Sequence, residues 1–193
     1  MKVNEIFYSL QGEGFNAGTA AVFVRLSGCN LRCPFCDTDH ESGVEMIEDE
    51  IVAEVVKHPA QLVVVTGGEP SLQLTTSLVD SLHGIGRRVA VETNGTLPLP
   101  ENIDWITLSP KDAWLGESAS PVLTRADELK VLFDGQHEPS AYDNIAIGHR
   151  FLQPCDVGNT QRNADIISAT VEYIRSHPQW RLSLQIHKTI NIK

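Results

Sequence analysis

Positive charge is scarce in this chain: 15 Lys and Arg face 25 Asp and Glu, for a net charge of −10. A nucleic-acid surface is therefore not its main business, and the few cations that fall inside motifs gain weight. Long apolar runs are missing too, since no stretch approaches the roughly 20 residues that a membrane span needs. The opening MKVNEIFYSLQGEG carries an acid at Glu5 and only a short apolar patch, unlike a signal peptide. A cytoplasmic setting is expected. No internal repeat, low-complexity tract or linker-like run divides the sequence, which predicts one domain over residues 1–193. A hydrophobic fraction of 41% over that length is enough for a real core.

Cysteines are also few, and their placement is uneven. Four would permit two disulfides, but three crowd into CNLRCPFC while Cys155 stands far away. In a reducing compartment such crowding means metal or redox chemistry more often than a disulfide framework. Cys29, Cys33 and Cys36 follow the spacing C-x3-C-x2-C. That is one ligand short of closing a four-coordinate site or of capping every iron of a 4Fe–4S cube. A cube held by three thiolates leaves one iron open to a substrate or cofactor. A structural zinc, with Cys155 or His40 as fourth ligand, is the competing reading. Zinc usually takes paired C-x2-C units, and no second pair is present.

Short apolar runs read as buried strands at 20–26, 61–65, 87–92, 103–109, 128–133, 149–154 and 181–186. Continuous rather than alternating apolarity suits parallel strands. Helical periodicity appears over 46–57 (Ile47, Ile51, Val55), over about 73–84, and over 162–176, where Ile166, Ile167, Val171 and Ile174 make a stripe closed by Pro178. The β-α alternation predicts an α/β fold with right-handed crossovers. A full eight-fold barrel takes about 250 residues, so a partial, open barrel is expected, with about six or seven strands and about three long helices. In such folds chemistry gathers at the carboxyl ends of the strands. The cysteines, TGGEP, ETNG, SPK and QP all fall there.

Several of these motifs suit ligand contacts. In TGGEP, Gly67 and Gly68 let backbone approach a ligand closely, and Glu69 offers an acceptor for an ammonium group. In LQGEG, Gln11 supplies donor and acceptor and Glu13 an acceptor, matching the donor-rich edge of an aminopyrimidinone ring. Arg25 sits inside an apolar strand, where its fork suits a carboxylate better than a surface ion pair. Phe35 lies between the last two thiolates, placed to shield a cluster or stack on a bound ring.

The cysteine triplet with its aromatic, followed by GGE after the second strand, resembles the radical S-adenosylmethionine superfamily. Adding LQGEG, VRLSGCNLRCPFCDT, ETNG, LSPK, FLQP and RLSLQIHKTINIK, the chain resembles the 7-carboxy-7-deazaguanine synthase family over nearly its whole length. The poorest match is 111–148, where no motif is readable. The resemblance implies a 4Fe–4S cluster on Cys29, Cys33 and Cys36, whose open iron chelates S-adenosylmethionine. It further implies reductive cleavage to a 5′-deoxyadenosyl radical that takes hydrogen from C6 of 6-carboxy-5,6,7,8-tetrahydropterin. Ring contraction, return of the hydrogen and loss of ammonia would follow, so the cofactor is regenerated.

Carried over residue by residue, the resemblance puts Leu10, Gln11, Gly12, Arg25 and Thr66 on the substrate and Thr38 on a magnesium ion, a hard cation suited to oxygen ligands. It puts Phe35, Cys36, Asp37, Gly68, Ser109, Pro110, Lys111, Gln153, Pro154, Cys155 and Asp156 around S-adenosylmethionine. Glu13, Glu69, Glu92 and Asn94 join the same rim. Relatives often show QPI where this chain has Cys155, which reads as a small apolar residue of that wall rather than a ligand. The family also implies a homodimer and an electron donor such as flavodoxin or ferredoxin. Two rivals remain: a radical activase that abstracts hydrogen from a partner's glycine, and a zinc-stabilised interaction module. The first gives no reason for LQGEG or Arg25.

Overall fold

The Val-rich runs become strands because β-branched side chains pack well on a pleated, half-covered surface. A computed structural model describes residues 1–36, 38–139 and 142–193. In chain order it contains β1 (Lys2–Leu10), β2 (Ala20–Leu26), β3 (Val44–Glu45), α1 (Glu48–Val56) and β4 (Leu62–Gly67). Next come α2 (Thr76–Gly84), β5 (Arg88–Thr93), β6 (Trp105–Leu108) and α3 (Asp112–Leu115). The rest is β7 (Arg125–Phe133), β8 (Ala146–Pro154), α4 (Thr160–Ser176), β9 (Arg181–Leu182) and α5 (Ile186–Ile190). Among the described residues, no helix is long and apolar enough to cross a membrane.

All strands join one sheet in the order β3-β1-β2-β4-β5-β6-β7-β8-β9. From β2 onward neighbours run parallel, while β1 and β3 add an antiparallel edge. The sheet ends in β3 on one side and β9 on the other, so the barrel is open, as expected from chain length. Helices cover one face: α1 buries Ile51 and Val55, and α2 buries Leu78, Val79 and Leu82. Against them lie Val22, Val24, Val63, Val65, Val89 and Val91. Truncating one such buried aliphatic to Ala costs about 2–4 kcal/mol. Helix starts are specified locally, by Thr75 Oγ1 accepting from Leu78 N and Asn159 Oδ1 from Arg162 N.

Strand alternation sends the other residues to the concave face. There Phe23, Leu62, Val64 and Ala90 pack with Phe7 and Trp105 into a second apolar layer. One pleat nearer the carboxyl ends, Arg25 and Thr66 pair across β2 and β4, and Glu92 pairs with Thr107 across β5 and β6. The apolar floor and the polar rim are thus two levels of one surface.

Three local expectations need correction. Residues 181–186 do not form one strand: the ladder holds only Arg181–Leu182, and the chain then turns into α5. The apolar stripe of the last helix is rotated, because Ile166 and Thr170 are buried whereas Ile167 and Val171 are 41% and 40% exposed. Likewise Ile47 precedes α1 as an exposed N-cap, its N–H satisfied by Glu50 Oε2 at 2.9 Å. The strand β1 has no counterpart in the sequence reading. Its polar positions and the bulge between Val3 and Glu5 break the continuous apolar signal.

Candidate active site at the carboxyl rim

One cavity of about 540 Å³ opens at the carboxyl ends of the parallel strands. Cys29, Cys33 and Cys36 all line it, with Phe35 and Thr38. The loop that carries them turns tightly, Cys36 N donating to Cys33 O at 3.2 Å and Leu31 N to Cys29 Sγ at 3.4 Å. Its far end is tied to β1: Lys2 Nζ and Asn4 Nδ2 bond the backbone of Glu41 and Ser42, and Gly28 N reaches His40 O at 2.7 Å. Burial pushes the Cys29 and Cys33 thiols up from their ordinary values. Among the described residues no three His, Cys, Asp or Glu side chains converge as a closed ion site. Three thiols on one loop that lines the cavity are a donor set suited to a 4Fe–4S cube held by three thiolates. Asp37 lies outside the described residues.

The glycines of TGGEP face the root of that loop. A Cβ on Gly67, which has φ +138°, would come within 2.0 Å of Leu26 O; one on Gly68 would come equally close to Gly28 O and within 3.0 Å of the Cys29 Cβ. Backbone bonds seal the contact, Gly68 N to Leu26 O at 3.1 Å and Glu69 N to Gly28 O at 2.9 Å. The pair is therefore needed for loop-on-loop packing as well as for any ligand that Gly68, on the cavity wall, would meet. Glu69 is 1% exposed and does not line the cavity. Its carboxylate accepts from Ser71 N, Ser71 Oγ, Thr93 Oγ1 and Asn94 N, at 2.7–3.0 Å. Asn94 continues the brace to Asn30 in the cysteine loop at 3.0 Å. GGE and ETNG thus hold the cysteine loop from beneath.

The same cavity is lined by a polar network. Gln11 Nε2 donates to Glu92 Oε1 at 2.8 Å, and Gln185 Nε2 donates to Glu13 Oε1 at 3.0 Å. Lys130, its side chain only 5% exposed, bonds the remaining oxygen of each acid, Glu13 Oε2 and Glu92 Oε2. Burial alone would raise the Glu13 carboxyl, but the charge and bond of Lys130, with bonds from Gln185 and Gln153, bring it down to about 2. Burial would likewise lower Lys130, yet Glu13 and Glu92 hold it well above the ordinary lysine value.

Leu10, Gly12, Arg25 and Thr66 also line the cavity. Gly12 is required by the approach of α5, since a Cβ there would lie 2.2 Å from His187 Nδ1. Arg25 is half-buried and engages Glu5 through Nε at 2.9 Å, which leaves its terminal Nη pair to fork onto an acid. Glu5 also pairs with Lys193, another cavity residue.

The remaining predicted residues divide. Ser109, Lys111, Gln153, Cys155 and Asp156 line the cavity; Pro110 and Pro154 do not. Lys111 Nζ donates to Ser109 O and Oγ at 2.6 and 2.7 Å, and its burial lowers it to about 8. Gln153 is buried and accepts from Ser183 Oγ at 2.8 Å. Asp156 accepts from Gly158 N, Lys188 and Asn163, which together hold it down at about 2. Cys155 is 3% exposed, in keeping with a small apolar wall residue.

Sequence reasoning passed over Lys130, Gln185, Lys193 and Trp114. Trp114 packs edge-on against Phe35, ring centres 4.7 Å apart, from a stretch without a readable motif. For Lys130 a signal existed: it is the one cation inside the apolar run ELKVLF, much as Arg25 is in AAVFVRL.

Residues 23–112, which carry the cysteines, both glycines and the SPK lysine, match the Radical SAM superfamily. A three-cysteine loop on the carboxyl rim of an open parallel barrel is the arrangement of that class, and this chain is a radical S-adenosylmethionine protein. The chain is 54% identical over 192 residues to the 7-carboxy-7-deazaguanine synthase of Bacteroides thetaiotaomicron, spanning 100% of this chain and 98% of that one. It is 44% identical over 213 residues to that of Bordetella pertussis, spanning 98% of each. Its fold matches the crystal structure of QueE from Escherichia coli with a TM-score of 0.74 and 27% identity, over 96% of this chain and 94% of the other. The chain belongs to the 7-carboxy-7-deazaguanine synthase family.

Proposed function

We propose that this protein converts 6-carboxy-5,6,7,8-tetrahydropterin to 7-carboxy-7-deazaguanine with release of ammonia, a step toward queuosine and other 7-deazapurines. The observation that carries this reading is one cavity lined both by the three cysteines and by a Lys130–Glu13–Glu92–Gln11 network. A 4Fe–4S cluster held by Cys29, Cys33 and Cys36, together with S-adenosylmethionine, would supply hydrogen-atom chemistry.

The chain's own residues bind and orient. Gln11, with Leu10, Gly12 and Thr66, takes the ring, and the acceptors Glu13 and Glu92 suit its N–H edge. Arg25 holds the carboxylate by a charge-assisted fork, and Thr38 supplies an oxygen ligand for magnesium beside it. Lys111 and Ser109, with Gln153 and Asp156, take the polar groups of S-adenosylmethionine. Phe35, backed by Trp114, excludes water from the cysteine side. By resemblance to its family, the protein would act as a cytoplasmic homodimer reduced by flavodoxin or ferredoxin. Activation of a partner's glycyl radical would leave the buried Lys130 network and Arg25 without a task.

The test is an anaerobic assay of reconstituted protein with the carboxytetrahydropterin, S-adenosylmethionine, reductant and magnesium. Formation of the deazaguanine acid and one equivalent of ammonia is the expected result. Unchanged pterin in a preparation with full iron and sulfide content would refute the activity. Thr38→Ala is expected to weaken the magnesium response at least about tenfold, and an unaltered response would remove Thr38 from the ion.

A further inference from the structure

Lys130 belongs to none of the motifs that mark the family, yet it is the most deeply buried cation lining the cavity. Its ammonium bridges acids from two separate parts of the chain, Glu13 after β1 and Glu92 on β5. The outer oxygens of the same acids receive amide N–H groups, from Gln185 and Gln11. Gln11 is locked at both ends, because its Oε1 also accepts from Glu13 N at 3.1 Å. One amide orientation therefore follows from where the lysine holds the acids. Two further charged groups lie within electrostatic reach of Lys130: Glu128 on its own strand and Lys111 after β6. Glu128 is occupied elsewhere, accepting from Phe15 N at 2.9 Å, and Lys111 donates to Ser109.

We infer that Lys130 is a positioning residue that sets ligand selectivity: it holds the Glu13 and Glu92 carboxylates side by side, so that this wall offers acceptors to the N–H edge of a 2-amino-4-oxo ring. Without that cation two carboxylates that now share one ammonium repel each other, which favours protonating one of them, and an acid that takes a proton becomes a donor. A donor facing the ring's N–H groups leaves both unpaired, which is costly in a desolvated site. The inference rests on the proposed pterin substrate and adds the residue that makes its edge readable.

Equilibrium binding of the carboxytetrahydropterin to reconstituted protein with S-adenosylmethionine, from pH 6 to pH 9, tests it. Binding by the unmodified protein checks the substrate reading separately. If the unmodified protein does not bind, that reading fails and the role of Lys130 in it falls with it. Given binding, Lys130→Met is expected to weaken affinity at least about tenfold at pH 6–7. Part of the loss should return as pH rises and the newly protonated acid ionises. Lys130→Arg should restore most of the affinity and flatten the profile. The double variant Lys130→Met/Glu92→Gln, which removes one acid along with the cation, should also lose the new pH dependence. It carries the test if the single variant fails to fold. Unchanged affinity, a pH-independent loss in Lys130→Met that Arg does not relieve, or a double variant that keeps the new ionisation would each overturn the inference.

Discussion

Around Lys130 the cavity's acids already have their partners: Glu13, from the loop after β1, and Glu92, on β5, share that ammonium and each holds an amide N–H. On the cysteine side the three thiols line the same cavity on a loop tied to β1 at its far end and to β4 at its root. The difference follows from what each half must hold. An organic ring brings hydrogen bonds that a sheet can prepare for by fixing side chains in advance. An inorganic cube brings its own geometry, so the protein need only deliver thiolates on a loop of the right length with an anchored base.

That contrast can be broken most severely at the cysteines. Replacing any one of Cys29, Cys33 or Cys36 by Ala is expected to abolish turnover and cut iron and sulfide to near zero, while pterin binding persists within a few-fold. Iron analysis beside a binding titration checks this, and loss of both together would mean that the two halves are not independently built. Glu69→Gln acts on the brace between them. Replacing a buried carboxylate that accepts from four donors should lower stability by about 2–3 kcal/mol, read by urea unfolding. The cysteine loop should become more open to proteolysis while β7 and β8 stay protected.

The smallest effect concerns acid. Glu13 is held at about 2 in the fold, against about 4.3 in an unfolded chain. A depressed carboxyl stabilises fully above its unfolded value and loses that contribution as pH falls toward its folded one. Stability should therefore hold from pH 7 to about 5, then drop by at most about 3 kcal/mol as pH falls toward 2. Asp156, also near 2, adds a smaller share because it is more exposed. Glu128 works in the opposite sense, since burial raises its carboxyl and protonation relieves the cost. A denaturation series with and without Lys130→Met separates the Glu13 share from that of Asp156, because Lys130 holds Glu13 down whereas Gly158, Lys188 and Asn163 hold Asp156.

Much of this was legible before any coordinates. The parallel core showed in its valine runs, which need no partner to declare themselves, and the rim motifs showed because each follows a strand directly. The antiparallel β1 was hidden by its mixed face, and α5 by a β-like composition that packing against Gly12 overrides. The stripe of α4 was read one step off because Ile167 and Val171 fit the helical period but face outward, while Thr170 fills the core by bonding Ile166 O.

By itself, the order of amino acids determined which atoms could hold a cluster and which turns could lie beside it, because thiol spacing and paired glycines are local properties. Only the tertiary structure decided that Lys130, Glu13, Glu92 and Gln185 meet, since they are up to 172 positions apart and no short-range pattern links them. A buried charge is tolerable only where the fold brings its counter-ions, and that requirement is met in three dimensions or not at all.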